Sequence, residues 1–133
     1  MKLNKEELYI STSVRSSVKS RKEELTDRLV YLTEFLGGEI SIEGDYPAWE
    51  YCADSRLREK VSEVYTRIFQ KEPVFEAIHA GLECGMFADK IADLDAVSFG
   101  PDMFDIHTPK ERLSISSTER VYKFIVEFLR SMK

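Results

Sequence analysis

The sequence predicts an α/β chain in two lobes, and three observations lead there. Segments of period-2 apolar alternation are interleaved with segments carrying a 3.6-residue stripe. Short apolar runs bounded by Pro, Gly and Asp follow later in the chain, as buried strands do. A break at Asp45-Tyr46-Pro47-Ala48-Trp49 divides the two regions. Strands alternating with helices pack as α/β layers, with parallel strands expected in the second lobe.

In the first lobe, Leu8, Ile10, Thr12 and Val14 alternate with Tyr9, Ser11, Ser13 and Arg15, predicting a half-exposed strand. Ser20 with Glu23 reads as a capping box, opening a helix whose stripe is Leu25, Leu29, Leu32 and Leu36. Gly37-Gly38 stops that helix, since glycine accepts the left-handed C′ conformation. Glu39 to Glu43 alternates again around Ile40 and Ile42 and closes a β-α-β unit. The lobe boundary falls between Gly44 and Asp54, giving lobes of residues 1–48 and 49–133.

In the second lobe, Asp54 or Ser55 caps a helix with Leu57, Val61, Val64 and Ile68 on one face. Val74 to Ile78 and Asp95 to Phe99 are predicted strands, separated by a short helix from Leu82 to Lys90. Ser116 with Glu119 suggests a second capping box, ahead of a helix that buries Val121, Phe124, Ile125, Phe128 and Leu129. No internal repeat or low-complexity tract is present.

With 133 residues the chain can bury an ordinary core. Its 24 acidic against 19 basic residues give a net charge of −5, which repels phosphate backbones and argues against nucleic acid as a partner. No apolar run approaches the roughly 18 residues of a membrane span, and the N-terminus lacks the apolar segment of a signal peptide. Cys52 and Cys84 lie far apart and are expected as reduced thiols in a soluble, cytoplasmic protein.

Both histidines sit in unusual clusters. His79 ends a predicted strand within Ile78-His79-Ala80-Gly81-Leu82-Glu83-Cys84-Gly85. Ligand sites in α/β sheets favour such strand ends, and Gly81 would let a ligand approach the backbone closely. The same residues also fit a plain tight strand–helix turn with a partly exposed histidine. His79 and Glu83 have the spacing of half a zinc-peptidase helix, but the second histidine is missing. Cys84 reads as a small packed side chain rather than a nucleophile. His107 follows Asp105 and precedes Thr108-Pro109, where proline stiffens the loop and can aim the imidazole as a metal ligand. A loop histidine bonded to backbone is the other reading of that pattern.

Taken together, the clusters resemble the C-terminal part of the Xaa-His dipeptidases (aminoacyl-histidine dipeptidases, carnosinase-like) of the two-zinc exopeptidase superfamily. The likeness rests on Ser13-Val14-Arg15-Ser16-Ser17-Val18, Glu43-Gly44-Asp45-Tyr46-Pro47 with Trp49, the run from Ile78 to Gly85, and Ser98-Phe99-Gly100-Pro101 before Asp105 to Pro109. Arg112-Leu113-Ser114-Ile115 continues it. The resemblance implies that the first lobe is the second half of a lid that mediates homodimerisation, and the second lobe the closing section of the catalytic domain. It also implies that His107 is a metal ligand of a two-zinc site, that His79, Gly81 and Glu83 border the substrate pocket, and that the substrate is a small dipeptide ending in histidine.

The departure from the family lies in what this chain lacks. It has no His-x-Asp at either histidine, and its Glu-Glu pairs, Glu6-Glu7 and Glu23-Glu24, stand beside a strand and in a helix. The general base and most metal ligands are therefore absent, and no catalytic residue is assigned. The expectation is a section of a metallodipeptidase, inactive alone. The alternatives are a non-enzymatic α/β partner-binding module and a split enzyme completed by a second chain.

Overall fold

The computed structural model describes residues 2–3, 7–78 and 83–133. It falls into two compact units, Met1–Tyr51 with Ala77–Lys90 and Cys52–Glu76 with Ile91–Lys133.

In the first unit, β1 (Lys2–Leu3) pairs antiparallel with β2 (Leu8–Tyr9), Lys2 opposite Tyr9 and Leu3 opposite Leu8. Helix α1 (Lys19–Phe35) follows. Its first residue donates its N–H to Glu50 Oε1 at 2.8 Å, so a distant carboxylate occupies the positive end of the helix. Lys22 reaches from the first turn to the Asp45 carboxylate and the Tyr46 carbonyl. At the other end Gly37 takes φ +75°, and the N–H groups of Gly37 and Gly38 close on Glu34 and Thr33 carbonyls, as the glycine pair predicts. Helix α2 (Arg56–Phe69) belongs to the second unit, and α3 (Glu83–Lys90) to the first. Gly85 of α3 lies against the Pro47–Trp49 stretch. A Cβ there would stand 2.9 Å from the Pro47 carbonyl oxygen.

The second unit is built on α2 and α4 (Ile115–Ser131). Of the two candidate caps, Asp54 and Ser55, it is Ser55 that caps α2, accepting from the Arg58 N–H at 3.0 Å. Asp95 completes this cap. Its Oδ1 accepts from the Ser55 hydroxyl at 2.6 Å and its Oδ2 from the Leu57 N–H at 2.9 Å. Val64 is fully buried, and Val61 and Phe124 nearly so, with Tyr65, Ile68, Phe69, Val97 and Phe128 packed around them. Strands β3 (Met103–Phe104) and β4 (Arg112–Leu113) form an antiparallel hairpin, Met103 opposite Leu113.

The α/β class and all four helices agree with the sequence reading, while several details differ. The α1 cap is Val18, with no side-chain hydrogen bond, so Ser20 and Glu23 lie inside the helix and form no capping box. The α4 cap is Ser114, which accepts from the Ser117 N–H at 3.3 Å, two residues before the expected Ser116. Ser-rich Ser114-Ile115-Ser116-Ser117 offers several registers, and the buried Ser117 selects one by accepting from the Asp102 N–H at 2.7 Å.

The predicted strands fare worse. Of residues 8–14 only Leu8–Tyr9 is a strand, and none is assigned at 39–43, 74–78 or 95–99. Among the described residues, all pairing is antiparallel. A strand exists only through a ladder partner, and these apolar runs find none among the described residues; Val74 is 84% exposed. The α1 stripe likewise has no fully buried residue: Leu29 is half-buried, and Leu25, Leu32 and Leu36 are exposed. On α4, Phe124 is buried as expected, but Leu129 is exposed.

Two outcomes test this packing. The bond to Ser55, then that to the Leu57 N–H, holds the Asp95 carboxyl below its ordinary pKa. A depressed carboxylate pKa contributes stability above the unfolded-state value, and that contribution fades as pH falls through the lower folded value. Asp95→Asn should therefore cost about 1–2 kcal/mol near neutral pH. The gap from wild type should close below about pH 4 in denaturant melts. Gly85→Ala should destabilise the first unit by about 1–3 kcal/mol through the clash with Pro47, seen as faster amide exchange across α3.

Candidate functional site

His107 lies at the tip of the β3–β4 hairpin, exposed to solvent. The turn is tied tightly. The Thr108 N–H and hydroxyl both donate to the Asp105 carbonyl, at 3.2 and 2.7 Å, and the Glu111 N–H donates to the Thr108 carbonyl at 3.1 Å. The His107 N–H donates to Glu111 Oε2 at 2.9 Å. Asp105 and His107 both take left-handed backbone angles, φ +53° and +64°. Non-glycine residues seldom do so, though Asp and His do so more readily than most.

Arg112 braces the base of this tip. It pairs with Asp105 Oδ2 at 3.1 Å and lies over the Phe104 ring, 5.4 Å from its centroid. Glu111 and Arg112 are the supports that a sequence reading focused on His107 does not assign. Their signal was the spacing of Asp105 and Arg112 about a Thr-Pro turn, which places them side by side only once the hairpin is known.

The hairpin is anchored in turn to α4. The Ser114 N–H donates to the Asp102 carbonyl at 3.0 Å, and the Asp102 N–H donates to Ser117 Oγ. The position of His107 thus depends on the first turn of a helix held in the core.

His79 and Gly81 lie outside the described residues. Glu83 is the first residue of α3, exposed in the first unit, where its charge complements the helix N-terminus. Cys84 is half-buried in α3, and Cys52 is exposed with its Sγ 3.1 Å from the Asp54 carbonyl oxygen; both are free thiols.

A catalytic zinc needs about three protein ligands. Among the described residues no three His, Cys, Asp or Glu side chains stand close enough to hold a metal ion. The carboxylates nearest His107 in sequence already serve the turn, Asp105 with Arg112 and Glu111 with the His107 N–H. The described donor set therefore does not fit a zinc cage. No helix among the described residues is long and apolar enough to cross a membrane.

No protein-family profile matches the chain. It is 34% identical over 119 residues to the cytosol non-specific dipeptidase of Escherichia coli (strain K12), covering 90% of this chain and 24% of that protein. Its fold matches the crystal structure of aminoacylhistidine dipeptidase from Vibrio alginolyticus with a TM-score of 0.73 and 32% identity, over 87% of this chain and 24% of the other. The chain thus spans about a quarter of the length of each. Sequence and backbone converge on one assignment: the chain is homologous to a section of each of these two dipeptidases.

Proposed function

We propose that this chain is the C-terminal section of a cytoplasmic metallodipeptidase that hydrolyses dipeptides ending in histidine. The supporting observation is the homology itself, which covers nine-tenths of this chain yet a quarter of each dipeptidase. In this reading His107, presented on its braced hairpin tip, supplies one ligand to a zinc site that residues outside the chain complete. His79, Gly81 and Glu83 border the substrate pocket. The first lobe, residues 1–48, is part of the lid and dimerises, and residues 49–133 close the catalytic domain. The general base and the remaining metal ligands belong to the other section, so residues of this chain position and bind but do not activate water.

The purified chain should hydrolyse no Xaa-His dipeptide, with or without added zinc or manganese. Calorimetry should show zinc binding weaker than micromolar, since a lone imidazole has no companions to complete a cage. Turnover that follows the protein through gel filtration and disappears in His107→Ala would overturn this, as would a stoichiometric submicromolar site lost in the same variant.

Self-association through the first lobe is a separate expectation. Leu8, Tyr9 and Ile10 are exposed, and Leu8–Tyr9 has its only described ladder on β1, so its other edge is open. Light scattering over a concentration series should show a dimer that forms as the concentration rises. A wild-type chain that stays monomeric at high micromolar concentration would reject it.

A further inference from the structure

Residues 45–50 belong to no helix or strand, yet within the first unit α1 holds them on one side and α3 lies against them on the other. On the α1 side, the Lys19 N–H donates to Glu50 Oε1 at 2.8 Å, and Lys22 Nζ donates to the Asp45 carboxylate and the Tyr46 carbonyl. The Lys22 side chain is only 18% exposed, although lysine ordinarily keeps its ammonium in water. An ammonium that gives up hydration for one carboxylate and one carbonyl holds both groups in place. On the α3 side the contact is backbone against backbone. A Cβ at Gly85 would stand 2.9 Å from the Pro47 carbonyl oxygen and 3.5 Å from the Trp49 Cβ, so only glycine lets the helix come this close.

The two contacts are one residue apart. The carbonyl that Lys22 grips belongs to Tyr46, and the carbonyl that Gly85 clears belongs to Pro47. Proline pins its own φ and restricts the residue before it. A shift of the Tyr46 carbonyl therefore has few torsions in which to dissipate, and it reaches Gly85 as a displacement of the Pro47 carbonyl. Close-packed contacts transmit strain rather than absorb it.

We propose that Lys22 is a positioning residue for α3, setting through Tyr46 and Pro47 where that helix and Glu83 at its head lie. The coupling goes beyond the proposed function, and its consequence for substrate rests on that reading, in which Glu83 borders the pocket. Helix α1 belongs to the lobe that the same reading assigns to dimerisation. An event that shifts the first turn of α1 is then felt at α3, and the reverse holds by linkage.

Amide hydrogen exchange on the 133-residue chain tests this. Lys22→Met removes the donors and keeps an apolar stem. Exchange at the amides of residues 87–90 in α3 should rise about fivefold or more. Lys22→Arg, which keeps charge and donors, should restore most of the protection. Leu29→Ala, two turns along α1 from Lys22, should leave the α3 amides nearly unchanged. Reciprocally, Gly85→Ala should speed exchange of the Lys22 N–H, which donates to the Val18 carbonyl at 3.1 Å.

Amides in α3 that are indifferent to Lys22→Met overturn the proposal. So does an equal response to Leu29→Ala, which is general loosening of the unit, and so does a Lys22→Arg chain no better protected than Lys22→Met. A Lys22 N–H indifferent to Gly85→Ala overturns it too, and that measurement decides the matter if Lys22→Met does not fold. No dipeptide enters the experiment, so the coupling is judged apart from whether Glu83 borders a substrate pocket.

Discussion

The ring of Phe124 meets Phe99 edge-on at 5.1 Å and Tyr65 at 5.8 Å, and stacks on Phe128 at 6.0 Å. Beneath it lies Val64, the one large side chain among the described residues that is fully enclosed. Offset and edge-to-face contacts each add to the area that an aromatic ring buries, and removing such a ring costs about 3–5 kcal/mol. That is a large share of the stability of a small unit. Because Phe124 touches α2, α4 and the 95–99 segment at once, it orients α4, and α4 orients everything attached to its first turn. The line runs from Phe124 through Ser117 and Asp102 to the hairpin and His107. The candidate ligand is exposed, but what places it is a buried aromatic cluster.

How much of this could be read in the sequence follows from where each signal resides. Helices carry their own hydrogen bonds, so the stripes of α2 and α4 and the stop at Gly37-Gly38 were legible locally. The caps were legible only in part. Ser55 was found, but its partner Asp95 lies forty residues away in sequence and no local pattern joins them. At α4 the cap was displaced by two residues because Asp102, from a neighbouring loop, claims Ser117. Strands depend on partners outside themselves. The runs at 39–43, 74–78 and 95–99 have strand composition without strand structure, and composition alone cannot supply a ladder.

The candidate site shows the same division. His107 was conspicuous because a Pro two residues on and an Asp two residues before it mark a stiff, polar turn. Its left-handed backbone, the Glu111 bond and the Arg112 brace are properties of the closed hairpin and belong to tertiary geometry. Glu83 is the first residue of α3, while the rest of that cluster, His79 and Gly81, lies outside the described residues.

The backbone of the hairpin tip has one more consequence. A side chain held in the left-handed region is disfavoured by roughly 1–2 kcal/mol relative to its right-handed alternative, and glycine escapes that cost. Asp105 and His107 both sit there. Random drift filtered only for thermal robustness would therefore replace the histidine with glycine, quietly and without disturbing the fold. The residue at position 107 works as a historical marker. A lineage that keeps the imidazole does so against a steady thermodynamic pull, and one that has turned to glycine has been released from whatever the imidazole did.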